Sequence, residues 1–198
     1  MNKSEIDNLI NEISKLPGLG RKSSQRIALY LLKNKEKTLL PLIESLNKAN
    51  QKIVNCENCG NIDMISPCSI CNNPKRNNKM VCVLEDVSDL WTFERIGFYR
   101  GIYHVIGGSL SAINGIGLDQ LSIQKLIKRI EHNNVDEVIL ALSTTMEGQT
   151  TSHVIADKLE SLDIEVTRLA QGVPIGGELH FLDENTLNTA FQTRKKII

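Results

Sequence analysis

The chain has 198 residues, 41% of them hydrophobic, and its 23 Lys/Arg balance 23 Asp/Glu to a formal net charge of zero. That length suits one substantial core with a small satellite or two. No apolar run approaches bilayer length, and the opening MNKSEIDNLINEI mixes charges with apolar residues instead of building a signal-peptide core. The reading is a cytoplasmic protein with no membrane partner, which sets aside membrane-embedded and disulfide-framed secreted classes.

Zero net charge hides an asymmetry. Residues 1–80 carry 13 Lys/Arg against 7 Asp/Glu, and residues 81–198 carry 10 against 16. A basic first part and an acidic second part suggest two jobs, with any polyanion meeting the first.

Along 4–15, Ile6, Leu9, Ile10 and Ile13 form the stripe of an amphipathic helix. Leu16-Pro17-Gly18-Leu19-Gly20 then breaks it, and further helices are predicted over about 21–32 and 37–49. The glycines of the break permit unusual dihedrals. They leave the N–H groups of Gly18, Gly20 and the next helix start available to a phosphate. Lys22 and Arg26, four residues apart, share the face beside that turn. This is the pattern of a helix-hairpin-helix, which holds a nucleic-acid backbone without reading bases; an ordinary helix–helix loop is the competing reading.

Cys56-x2-Cys59-x8-Cys68-x2-Cys71 is the most specific motif in the chain. Two thiolates separated by two residues reach one tetrahedral ion, and two such pairs close a four-sulfur shell. In a reduced compartment this means metal and not two disulfides, and zinc is favoured over iron. Gly60 and Asn72, one after each pair, are expected to take the left-handed backbone that folds such a knuckle. A closed shell leaves no position for water or substrate, so the role is structural. Residues 72–79 read as a polar linker containing Pro74, and Cys82 as a small core residue.

From Met80 the pattern changes to short apolar runs at 81–85, 103–107, 135–142 and 164–169. Helical stretches near 87–96, 122–132 and 152–161 separate most of them, which argues for a parallel sheet with helices on its faces. Glu85-Asp86 ends the first strand and Glu147 follows the third; if these strands are neighbours, Glu85 and Glu147 converge at one edge. Paired carboxylates there can hold Mg²⁺; solvated or capping roles are the alternative. The segment Leu179-His180-Phe181-Leu182-Asp183-Glu184 has the look of a Walker B strand, but no P-loop occurs anywhere, so nucleotide hydrolysis is set aside. The four histidines form no cluster, and Tyr30, Tyr99 and Tyr103 default to packing. Thr186–Ile198 reads as a final helix running into basic Arg194-Lys195-Lys196.

The order of motifs is more specific than any one of them. The hairpin LPGLGRKSSQRIALYLL precedes the cysteine quartet, then VCVLED, GGSLSAINGIG, TTMEGQTTSHVIADKL and GVPIGGELHFLDENTL. In that order the chain resembles the bacterial recombination mediator family RecR over essentially its whole length. The resemblance implies an α/β protein with a helix-hairpin-helix at 1–54, a four-cysteine zinc finger at 55–76, and a Toprim domain at 79–174. A Walker-B-like segment and short helical tail follow at 175–198. It implies a non-catalytic clamp or adaptor that binds gapped DNA and, with RecO and RecF, loads the RecA recombinase. Ring-like dimers or tetramers follow from the same resemblance. Carried over by position, Gly18, Gly20, Lys22 and Arg26 match the DNA-contacting hairpin. Cys56, Cys59, Cys68 and Cys71 match the zinc ligands, and Glu85, Asp86 and Glu147 the Toprim acids. The family pattern Glu-Gly-Glu stands here as Glu147-Gly148-Gln149, which removes a carboxylate and weakens any Mg²⁺ site. A Toprim nuclease or topoisomerase-like enzyme is the rival class.

Overall fold

The structure, a computed structural model, describes residues 4–194 and 196, which leaves Lys195 and the last two residues of the expected basic tail outside it. The chain forms two compact units, one ending at Ile53 and the other beginning at Val54.

In the first unit, α1 (Glu5–Ser14) opens on Ser4, whose hydroxyl accepts from Asp7 N–H. It packs on α2 (Arg21–Lys33) with Ile10, Ala28 and Leu31 buried. A single π turn at Lys35–Leu39 then leads into α3 (Leu40–Lys52). The sequence predicts a regular helix from residue 37. Pro41 has no N–H to give the Lys37 carbonyl, so the α-helical ladder starts only at Leu40.

The second unit begins with a two-residue antiparallel ribbon of β1 (Val54–Asn55) and β2 (Ile62–Asp63). Next come β3 (Asn77–Leu84), α4 (Val87–Ile96), β4 (Gly101–Val105), α5 (Ile123–Asn133), β5 (Glu137–Leu140), α6 (Met146–Leu159) and β6 (Glu165–Arg168). The four longer strands make one parallel sheet in the order β4-β3-β5-β6. Successive residues of β3 point to opposite faces. Val81 and Val83 join Leu126 and Ile130 of α5 and Ile155 and Leu159 of α6; Cys82 and Leu84 join Leu90, Tyr99 and Tyr103. Burial on both faces explains why β3 reads as a continuous apolar run. Cys82 is a core residue as expected, and burial pushes its thiol up to about 12.

Two segments depart from the sequence reading. The supposed linker at 72–79 is partly strand, and its Arg76 is anchored: the guanidinium pairs with Glu94 and donates to the carbonyls of Tyr99 and Gly101. The Walker-B-like residues are not a strand. Leu179–Phe181 make one 3-10 turn, and Asp183 accepts from Thr186 N–H at the start of α7 (Glu184–Gln192). An aspartate satisfying a helix start leaves no reason for the preceding residues to extend. Among the described residues, no helix is long and apolar enough to cross a membrane.

His104 on β4 is 1% exposed; its Nε2 lies 3.0 Å from Ser122 O, while Nδ1 has no partner. With Nε2–H donating, the ring is neutral, and burial lowers its pKa from 6.5 to about 4. The unfolded chain therefore takes up this proton first, and stability drains away as pH falls from 6.5 through 4, by about 3 kcal/mol in full. Denaturant unfolding of wild type and His104→Gln across that window checks this: the wild-type curve should fall more steeply on acidification.

Candidate metal centre and nucleic-acid interface

Three of the four cysteines, Cys56, Cys59 and Cys68, are buried, and Cys71 is nearly so; none is in a disulfide. Their sulfurs all lie within 4.8 Å of one another, with Cys59–Cys68 at 3.5 Å and Cys56–Cys71 at 3.9 Å. An ion about 2.3 Å from each sulfur of a tetrahedron sets the sulfurs about 3.8 Å apart. The geometry therefore fits a four-thiolate metal ion. Backbone N–H groups already point at the sulfurs, from Asn61 to Cys59 at 3.4 Å and from Cys68 to Cys56 at 3.3 Å. Cys59 is held well above the ordinary thiol range, first by its bond with Cys71 and then by burial. Cys71 drops to about 6 through that same bond, with the Arg129 guanidinium adding to the effect.

The knuckles are built differently. Gly60 has φ +78°, and a Cβ there would stand 3.2 Å from the Val105 carbonyl, so both backbone and contact demand glycine. Asn72 is not left-handed. It stays in a right-handed turn and donates its side chain to Pro67 O at 2.7 Å. What the sequence did not reveal is how firmly this module is docked. Val105 N–H donates to Cys59 O at 2.8 Å, and Trp91 Nε1 to the buried Asn61 at 3.1 Å. Arg129 on α5 reaches Tyr103 O at 2.6 Å, Asn58 O at 3.2 Å and Cys71 Sγ at 3.6 Å. No spacing rule marks an arginine some 60 residues away as a clamp on a cysteine motif.

In the first unit, Gly18 has φ +78°, while Gly20 is extended at φ −78° and serves as N-cap of α2 without a side-chain cap. Gly20 thus needs no unusual dihedral; it leaves the helix start open because it offers no capping oxygen. Among the described residues, neither Gly18 nor Gly20 N–H is engaged within the chain. Lys22 and Arg26 are both exposed on α2. Tyr30 does not pack: it is 59% exposed and lines a surface groove with Arg26 and Lys33. Tyr99 and Tyr103 are buried as expected.

At the sheet, β3 and β5 are neighbours, so Glu85 and the start of α6 meet at the point where the chain switches direction along the sheet. Glu85 is committed there. Its Oε1 accepts from Ser143 N–H at 2.7 Å and lies 2.9 Å from where a Gly148 Cβ would stand. Glu147 is exposed in the first turn of α6, and Gln149 donates to Thr144 O. Asp86 caps α4 by accepting from Ser88 N–H, which holds its carboxyl below the usual carboxylate range. Among the described residues, the cysteines are the one group of three or more metal-type donors gathered within reach of an ion. The helix containing Glu147 begins six residues earlier than the sequence predicts, because Thr145 caps it and Gly148 fits inside its first turn.

Family models match the chain in three stretches: a RecR helix-hairpin-helix over 6–50, a Toprim domain over 79–170, and a RecR C-terminal segment over 172–195. A protein of Hyphomonas neptunium named recombination protein RecR is 51% identical over 193 residues, covering 98% of this chain and 96% of its own length. Same-named proteins of Rhizorhabdus wittichii and Erythrobacter litoralis are 48% and 45% identical over 197 residues, each covering both chains fully. The chain belongs to the RecR family. As a member it carries the helix-hairpin-helix and Toprim parts that the sequence anticipated, together with the four-cysteine cluster between them.

Any side chain at 148 would collide with Ser143 O and press on Glu85. Gly148→Ala should therefore lower unfolding stability by about 1–3 kcal/mol, although alanine is the better helix former. Denaturant titration checks this, and an unchanged midpoint would show that the β5–α6 turn is not tightly packed.

Proposed function

We propose that this chain is a non-catalytic DNA-binding adaptor of recombinational repair that acts in the cytoplasm. It grips gapped DNA and, with RecO and RecF proteins, helps load RecA recombinase. The observation that carries the reading is the start of α2. Unengaged N–H groups at Gly18 and Gly20 adjoin exposed Lys22 and Arg26, in a chain nearly half identical to RecR proteins along its full length. An uncapped helix start with flanking cations meets a phosphate by dipole, hydrogen bond and charge together. Such contacts position the protein on a strand and are indifferent to sequence. Rings of two or four copies would bring several hairpins to one strand.

Zinc is the proposed occupant of the cysteine cluster, on the sulfur spacing and the all-thiolate donor set. Four thiolates saturate it, so it supplies folding energy and no reactive position. The rival reading, metal-dependent strand cleavage, needs acids free to share an ion. Glu85 is instead used by the Ser143 N–H, and position 149 is Gln.

Lys22→Ala with Arg26→Ala should weaken binding to gapped DNA at any sequence. Two lost phosphate contacts flatten the salt slope by roughly 1.5–2. Fluorescence anisotropy over a salt series checks this, and an unchanged slope would place the DNA face elsewhere. Mg²⁺-dependent cleavage of the same DNA that Glu147→Gln abolishes would overturn the adaptor reading. For the metal, the purified protein should carry about one zinc per chain. Cys56→Ser should lose that zinc and melt several degrees lower, as read by metal analysis and thermal unfolding.

A further inference from the structure

A cleft of about 720 Å³ runs between the cysteine module and α5, inside the second unit, with Cys71 among its lining residues and no part of the hairpin in it. One wall is Glu57 and Asn58 from the first knuckle; the other is Lys125, Lys128, Arg129 and His132. These four stand at i, i+3, i+4 and i+7 on α5, one continuous basic stripe about 100° wide at 3.6 residues per turn. Ile123, Leu126 and Ile130 occupy the opposite, buried face.

These side chains divide by what they already do. Arg129 is consumed by Tyr103 O, Asn58 O and Cys71 Sγ, which fastens the module to α5 and sets the width of the cleft. Lys125, Lys128 and His132 are exposed and, among the described residues, have no acidic partner within 4.0 Å. Against them stands one carboxylate in the cleft, Glu57. Lysines held apart by a rigid helix, along a trough with amide-bearing Asn58 opposite, suit a run of phosphates; a small ligand would find few groups converging on one point.

We propose that this cleft is a second nucleic-acid contact, in which Lys125 and Lys128 hold the phosphate backbone of a single strand. The assignment rests on reading the chain as a DNA-binding protein, yet it places the contact on a different unit from the hairpin. Arg129 is a positioning residue here. It holds the wall against which the strand lies.

The test compares wild type, Lys125→Ala/Lys128→Ala and Lys22→Ala/Arg26→Ala. Each binds a fluorescent single-stranded oligonucleotide over a salt series, with zinc content and melting temperature recorded. The α5 pair should raise Kd on the order of ten-fold near 0.1 M salt and flatten the slope by roughly 1.4, two contacts at about 0.7 each on single strands. Zinc and melting should stay at wild-type values, and Lys125→Arg/Lys128→Arg should restore the slope, which a folding defect would not allow. Wild-type affinity and slope in the folded alanine pair overturn the proposal, including where that pair loses a protein partner, since the stripe would then serve an acidic protein surface. Loss in the α5 pair but not in the hairpin pair upholds the cleft and removes the hairpin as DNA face. Loss in the hairpin pair alone removes the cleft and leaves the hairpin standing.

Discussion

Four sulfurs held within 4.8 Å of one another, in a pocket almost closed to water, are the constraint around which the second unit is arranged. Four thiol sulfurs at that spacing are positioned to share one tetrahedral ion. The segment between β1 and β3 has only a two-residue ribbon of its own, so the four cysteines pack where a hydrophobic core would otherwise be needed. The parts that receive it are the most rigid available. The end of β4 donates through Val105, α4 through Trp91, and α5 through Arg129. The module therefore acts less as a separate finger than as a wall added to the parallel sheet.

The same economy appears at the C-terminal edge of the sheet, where open α/β folds usually gather ligands. Two of the three acids there, Glu85 and Asp86, have local work. Glu85 holds the β5–α6 turn through Ser143, Asp86 caps α4, and Gly148 lets the helix start close beneath the Glu85 carboxylate. A carboxylate engaged by a backbone N–H can still approach an ion, but it no longer needs one to be satisfied. Gln149 fits this arrangement, since its amide donates to Thr144 O where a second carboxylate would face that carbonyl unfavourably.

Periodicity made the strands, the buried faces and most helices legible, because burial on one stripe or on both faces of a strand leaves a direct imprint on residue order. The cysteine quartet was legible for a similar reason: reach to a common ion is set by short local spacing. Contacts that join distant segments left no such imprint. Arg76 looked like part of a polar linker, although it closes a network with Glu94 and Tyr103, and nothing in local spacing sets Arg129 apart. The need for glycine at 148 was equally hidden, because Ser143 and Glu85, which occupy the space a side chain would need, reach it only in the folded chain. Gly60 and Asn72 both tolerate a left-handed backbone, but only Gly60 takes one.

Charge shows the same limit in its most instructive form. Summed along the chain, residues 81–198 are acidic, which by itself directs a polyanion to the first part. Summed around α5, the outcome reverses. Lys125, Lys128, Arg129 and His132 fall on one side, and Glu131 lies about 60° round the helix from the nearest of them. At physiological salt, charges farther apart than about 8 Å hardly feel each other, so a distant carboxylate surplus does little to cancel a local stripe. What a phosphate meets is set by nearby charges, and among the residues that line the cleft the lysines outnumber the single Glu57. Net charge by segment is a fair guide to solubility and a poor one to where a strand can lie. The helical period decides the latter, once Arg129 has fixed which side of α5 faces the metal module.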